Sequence, residues 1–161
     1  MADTQQLRRL VAYNQWADEK ILAAIDGMSD EDLGRKAEAY FGTLAQNLRH
    51  TLFAQRVWLA RWKGEPRPSP DESLAGRWRE AFAAIHATLR AYVESLSEAD
   101  AERMVRWTDF KGNAREGRLD QLITHLVNHG TQHRAETGLL LERAGRSPGD
   151  LDYLYFYFER P

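Results

Sequence analysis

The sequence predicts an all-α fold: a four-helix bundle with a small β-hairpin between the third and fourth long helices. Two observations predict it. Four long stretches place apolar side chains at steps of three and four, the period of a helix with one buried face. Between the third and the fourth, Val105 and Trp107 alternate with Arg106 and Thr108, and a Lys111-Gly112-Asn113 turn follows, the pattern of a strand pair. A chain of 161 residues suits one domain with one substantial core, so residues 1–161 read as a single unit.

The first helix is expected from Thr4 to Ile25, with Leu7, Leu10, Val11, Ala17, Ile21 and Ile25 on its inner face. Asp3 with Gln6 resembles a capping box, and Gly27 stands where a helix stops. Asn14 and Asp18 fall in the same inward column. Polar groups on an inward face need partners, so these two orient ligands, meet a substrate, or bond to nearby backbone. Ser29-Asp30-Glu31-Asp32 reads as the start of a short extra turn of helix.

The second helix is expected from Thr43 to Lys63, carrying Leu44, Leu48, Leu52, Val57, Trp58 and Trp62. Gly64 ends it, and Pro66, Pro68 and Pro70 exclude helix from the connection that follows. The third runs from Ser73 to Ser95 along Trp78, Phe82, Ile85, Leu89 and Tyr92, and Ser97 with Asp100 forms another cap. The hairpin occupies Met104 to Gly117. The fourth helix, Leu119 to Arg143, ends at Gly145 and Pro148. The rings of Tyr153, Tyr155, Phe156, Tyr157 and Phe158 in the tail call for a packing surface, either the bundle or a second subunit. Short connections between four amphipathic helices give a bundle, and bundles build metal sites from side chains on facing helices.

Composition removes several function classes. The net charge is −2, which gives no electrostatic basis for nucleic-acid binding. No apolar run is long enough to span a membrane, and Met1-Ala2-Asp3-Thr4 lacks a signal-peptide pattern, so a cytoplasmic location is the expectation. Cysteine is absent, which excludes disulfides, thiolate ligands and a cysteine nucleophile. Any metal must be held by His, Asp, Glu or water.

The chemistry concentrates in histidine. His125, His129 and His133 form a ladder at i, i+4 and i+8 on the fourth helix. Residues four apart lie about 6 Å apart along the axis on one face, close enough to share an ion, while the outer pair, about 12 Å apart, cannot. The ladder therefore offers one ligand pair and one spare, and spacing alone does not choose between 125/129 and 129/133. His129 and His133 continue the apolar stripe of Leu122, Leu126 and Leu140. Buried imidazoles there must find partners, a shared metal or polar neighbours. A third ligand must come from another segment. His50, in line with Phe53, Ala54 and Val57, is a natural choice, and His86 beside Phe82 and Leu89 is an alternative. Three protein ligands leave one position open, the composition of a catalytic zinc site. Glu136 is either a carboxylate supporting the ligands or a solvated charge.

Asn128-His129-Gly130-Thr131-Gln132-His133-Arg134-Ala135-Glu136 resembles the C-terminal metal motif of the DinB/YfiT-like proteins. Tyr13-Asn14-Gln15-Trp16-Ala17-Asp18 is similar to their first-helix signature, and His50 matches their first metal-binding histidine. The resemblance covers nearly the whole chain. It implies a four-helix bundle holding a divalent metal on His50, His129 and His133, with zinc or nickel the leading ions, and it favours a homodimer. It also implies a metal-dependent enzyme acting on a small molecule, one that activates a low-molecular-weight thiol or a water for S-transfer or hydrolysis. Asn14, Asp18 and Arg134 are then the candidate catalytic residues, with Arg134 meeting an anionic substrate group or lying in a salt bridge. The alternative is a non-catalytic, metal-binding or stress-related dimeric bundle. The sequence departs from the family pattern at Ala135, where Gly is common, and at Asp18, where Asn is common.

Overall fold

The computed structural model describes residues 2–36, 42–70, 74 and 76–159. The four long helices are α1 (Thr4–Ala24), α3 (Leu44–Lys63), α4 (Trp78–Glu94) and α6 (Leu119–Arg143). Shorter pieces join them: α2 (Asp30–Gly34), α5 (Glu98–Glu102), β1 (Met104–Thr108), β2 (Ala114–Arg118) and, at the end, α7 (Tyr153–Glu159). The chain is mostly helical, and the antiparallel β1–β2 pair is the one sheet among the described residues.

The local signals act as expected. Asp3 Oδ1 accepts from the Gln6 backbone N–H at the start of α1, and Thr43 does the same for Gln46 at the start of α3. Gly64 closes α3 in the left-handed region at φ 70°. Ser97 and Asp100 form a full capping box on α5. In the hairpin, Asp109 accepts from the backbone N–H groups of Lys111 and Asn113, which fixes the turn and sets Val105 opposite Gly117.

One boundary moves. The third long helix begins at Trp78 rather than Ser73, and Ser73 itself lies outside the described residues. Gly76 has φ 70°, a conformation that a right-handed helix does not pass through, and Arg77 precedes the first turn in a non-helical conformation. Two connections are long, and each carries the structure that the sequence pattern placed there. Residues 25–43 include α2, and residues 95–118 include α5 and the hairpin. These lengths allow a diagonal topology. Both α1 and α3 pack against α4 and α6, so α1 and α3 face each other across the bundle.

The core is one apolar cluster drawn from every long helix, with Leu52, Trp62, Phe82, Leu89, Ile123 and Leu141 at its centre. Each such side chain contributes about 1.5–3 kcal/mol by leaving water. A smaller cluster of Tyr13, Trp16, Ala17, Val127 and Phe156 pins α7 to α1 and α6. Phe156 is buried, whereas Leu154, Tyr155, Tyr157 and Phe158 are 45–64 % exposed. The tail thus packs Phe156 and the half-buried Tyr153 on the bundle and turns the other rings outward.

Candidate metal centre

His129 and His133 lie one turn apart on α6, and α3 brings His50 against them. The rings of His50 and His133 are 4.5 Å apart between centroids, those of His129 and His133 4.3 Å, and those of His50 and His129 5.4 Å. One nitrogen from each ring lies within 4.8 Å of the other two, and the Nε2 atoms of His129 and His133 are 3.1 Å apart. A tetrahedral ion with ligand bonds of about 2.0–2.1 Å needs nitrogens about 3.3–3.4 Å apart. The donor set suits a divalent ion, and the 3.1 Å edge lies close to that spacing.

The electrostatics favour lone pairs over protons. Burial first, and then its neighbours His133, His50 and His125, lower the pKa of His129 to about 4. Burial also lowers His50, helped by His133 and opposed by Glu136. His133 is lowered by burial and by Arg134, again against Glu136. At neutral pH all three rings are uncharged, the state in which imidazole binds metal. Two ring nitrogens face each other at 3.1 Å. A proton shared between them satisfies one edge of the triangle; a cation satisfies all three.

Polar side chains back this triangle. Asn47 on α3 donates from Nδ2 to Glu136 Oε2 at 3.1 Å and more weakly to the backbone carbonyl of His133 at 3.4 Å. The same carbonyl accepts from Thr137 Oγ1 at 2.8 Å. Glu136 is half-buried and sets a negative charge beside His50 and His133.

A second polar cluster fills the space where α1, α3, α4 and α6 meet. Asp18 Oδ1 accepts from Arg134 Nη1 at 2.9 Å; Asp18 Oδ2 accepts from His86 Nε2 at 2.9 Å and Gln55 Nε2 at 2.8 Å. Asn14 Oδ1 accepts from Arg134 Nη1 at 2.7 Å, and Asn14 Nδ2 donates to Gln55 Oε1 at 3.2 Å. Asn14, Asp18, Gln55, His86 and Arg134 are each no more than 3 % exposed. Burial by itself raises the Asp18 pKa, but Arg134 and His86 more than offset this and hold the carboxyl below its usual range. Gly130 makes room for the cluster: a Cβ there would sit 2.8 Å from both Arg134 Nη1 and Asn14 Oδ1.

The comparisons with known proteins agree on one family. The DinB family model matches residues 1–160. The chain belongs to the DinB family. The protein is 24 % identical to Protein DinB of Bacillus subtilis (strain 168), over 93 % of this chain and 92 % of that protein. Its fold is similar to the crystal structure of a DinB family member from Shewanella denitrificans, at a TM-score of 0.57 and 20 % identity over 95 % of this chain and 89 % of the other.

In this DinB-family chain the ladder resolves as a pair plus a spare. His125 is exposed and stacks edge-on against Trp58 at 5.1 Å, outside the three-histidine group. His86, the alternative third ligand, is turned instead to Asp18. Arg134, which the sequence suggested at a substrate anion or in a salt bridge, is buried in an ion pair with Asp18, the second of those two readings. Asn14 and Asp18 join Arg134 there. Sequence reading missed Gln55 and Asn47. Both carry the signal that flagged Asn14 and Asp18: each is a polar residue in an apolar helical column, Gln55 with Leu52 and Leu59, Asn47 with Leu44 and Leu48.

Proposed function

We propose that the protein is a divalent-metal-dependent enzyme whose ion is held by His50, His129 and His133, and that it activates a low-molecular-weight thiol, or a water, for transfer to or hydrolysis of a small-molecule substrate. The observation that carries this reading is the convergence of three imidazole nitrogens within 4.8 Å from two facing helices. Zinc and nickel are the ions proposed, since both take imidazole readily. When bound, such an ion supplies Lewis acidity that lowers the pKa of the thiol or water brought to its open position. The remaining work falls to side chains. The three rings stay neutral at physiological pH because burial disfavours their protonation. Glu136, steadied by Asn47, supplies a negative charge that supports an ion at neutral ligands. Asn14, Asp18 and Arg134 act as positioning residues that fix α6 against α1.

The non-catalytic alternative predicts a closed site with a fourth protein ligand. Among the described residues the group has three members, one fewer than a structural zinc site carries, and this supports the enzyme. A cytoplasmic homodimer completes the proposal. No described helix is long and apolar enough to cross a membrane, and the outward rings of α7 support self-association. Elemental analysis of protein purified without a metal-affinity tag tests the centre: one ion per chain is expected, lost in His129→Ala. A screen of thiols against electrophiles, with and without chelator, then tests catalysis. Absence of stoichiometric metal, or full metal content in His129→Ala, overturns the reading. Absence of any metal-dependent turnover leaves only the binding module.

A further inference from the structure

Beside His50 a cleft of about 450 Å³ runs along α3. Arg49, Phe53 and Arg56 line it as one helical stripe, and Leu52, Pro70 and Leu74 complete the described wall. The volume lies in the range of small-ligand sites. The lining is apolar apart from His50 and two guanidinium groups, and no acid is among the described lining residues. Arg56 has a partner of its own. Arg49 differs. Among the described residues no hydrogen bond or ion pair engages its guanidinium, and its Nε is buried without an acceptor. Its one contact of note is with the Trp78 ring, 5.9 Å from the guanidinium carbon, and the Trp78 Nε1 is also buried without an acceptor.

Three other arginines have a guanidinium nitrogen engaged, although the Arg134 Nε is likewise buried without an acceptor. Arg134 reaches Asp18 at 2.9 Å, Arg118 reaches Asp120 at 2.7 Å and Arg103 reaches the Tyr92 hydroxyl at 2.8 Å. A buried donor without an acceptor is costly, and such groups mark places where a ligand supplies the missing atom. Arg49 adjoins His50 in sequence and shares its cleft. A guanidinium presents a planar fork that matches a carboxylate, and its attraction grows where water is thinned by apolar walls.

We propose that this cleft is the substrate subsite, and that it takes a small organic acid whose carboxylate sits on Arg49 and whose apolar body lies along Phe53, Leu52 and Leu74, next to His50. The assignment of this pocket to a substrate rests on the reading of the three histidines as a metal centre; the carboxylate recognition itself does not. The subsite selects acids over neutral analogues of equal size. It makes Arg49 a specificity-determining residue rather than a ligand to the ion.

The test uses 3-phenylpropionate and its neutral twin 3-phenylpropionamide as probes. Both are titrated by calorimetry into metal-free and zinc-loaded protein. The acid is expected to bind metal-free protein about tenfold more tightly than the amide, the size of one charge-assisted hydrogen bond. Arg49→Gln should bring the two to equal affinity with zinc content unchanged. A measurement on the unaltered protein guards against a variant that fails to fold: the acid, and not the amide, should shift the Arg49 Nε–H resonance. Equal affinities in the native protein, or an acid preference that survives Arg49→Gln, overturns the inference. So does acid binding that appears only with zinc, since the ion is then the receptor, and the metal centre still stands. The converse result, an Arg49-dependent preference in protein that binds no zinc, removes the metal centre and leaves the acid subsite.

Discussion

Asp18→Asn is the sharpest perturbation of this fold, because it removes one charge and almost no volume. In the native protein the Asp18 carboxylate accepts from Arg134, His86 and Gln55, all within 2.9 Å, at 2 % exposure. The substitution leaves the Arg134 guanidinium buried with Asn14 Oδ1 and Thr131 Oγ1 as its remaining acceptors. Breaking a buried ion pair from one side costs about 3–5 kcal/mol, because the surviving charge has lost its compensation. For a chain of this length that corresponds to a fall in Tm of about 6–20 °C. Urea denaturation of Asp18→Asn, Arg134→Met and the double variant gives the cycle that isolates the pair. The double variant should lose much less than the sum of the two singles, since it buries no lone charge. A loss below about 1 kcal/mol in Asp18→Asn, or additive losses in the double variant, would refute the claim that this pair is coupled and desolvated.

Three further outcomes follow from the same geometry. Gly130→Ala gains helix propensity of about 1 kcal/mol, yet its Cβ meets Arg134 Nη1 and Asn14 Oδ1 at 2.8 Å, side chains that are held in place by hydrogen bonds. Overpacking of this kind costs about 1–3 kcal/mol, so a net loss of stability in thermal melts is expected, and a gain would show that the cluster yields freely. Acid should destabilise the metal-free protein. The three histidines have folded-state pKa values below the unfolded value of 6.5, so the unfolded chain takes up protons that the folded chain refuses. Stability is complete above about pH 6.5 and falls as the pH drops towards 4, by up to about 3 kcal/mol for His129 alone; equilibrium unfolding at pH 7.5 and pH 5 checks this, and equal stability at the two would contradict it. Zinc at a hundredfold excess over its Kd should add about 2.7 kcal/mol and raise the Tm by about 5–11 °C, a shift that chelator reverses and His50→Ala abolishes.

Much of this was legible in the sequence because it depends on periodicity and local caps. The four long helices, the hairpin turn at Lys111-Gly112-Asn113 and the stop at Gly64 are each set by a few neighbouring residues. The convergence of His50 on the α6 pair was legible as a need, since two core imidazoles require a further partner, but the helical pattern alone did not name it; the family resemblance did. His50 and His86 satisfy the same helical pattern. What separates them is the tertiary placement of Asp18, which engages His86 from a different helix. Of the two readings of Arg134 the structure holds the salt bridge, but its depth was not legible for a related reason. A lone arginine on a helix is usually solvated, and only the joint burial of Asn14, Asp18 and Gln55 makes an interior position tenable. The start of α4 turned on one glycine, Gly76, whose left-handed backbone cannot be read from the apolar stripe behind it.

The two polar clusters are connected by the register of α6. His129 and His133 occupy one column of that helix, and Gly130 and Arg134 occupy the next, about 100° further round. The first column faces His50 on α3, and the second faces Asn14 and Asp18 on α1. Each column therefore fixes the rotation of α6 for the other. A helix held on one side only can roll, and a roll of a few degrees moves a ring nitrogen by a few tenths of an ångström at the end of a histidine side chain, a displacement that matters against ligand bonds of about 2.0–2.1 Å. The buried ion pair adds little to net stability relative to an apolar replacement, as such pairs generally do. Its contribution is orientational: it ties α6 to α1, which is the constraint that a pair of histidines four residues apart cannot supply for themselves.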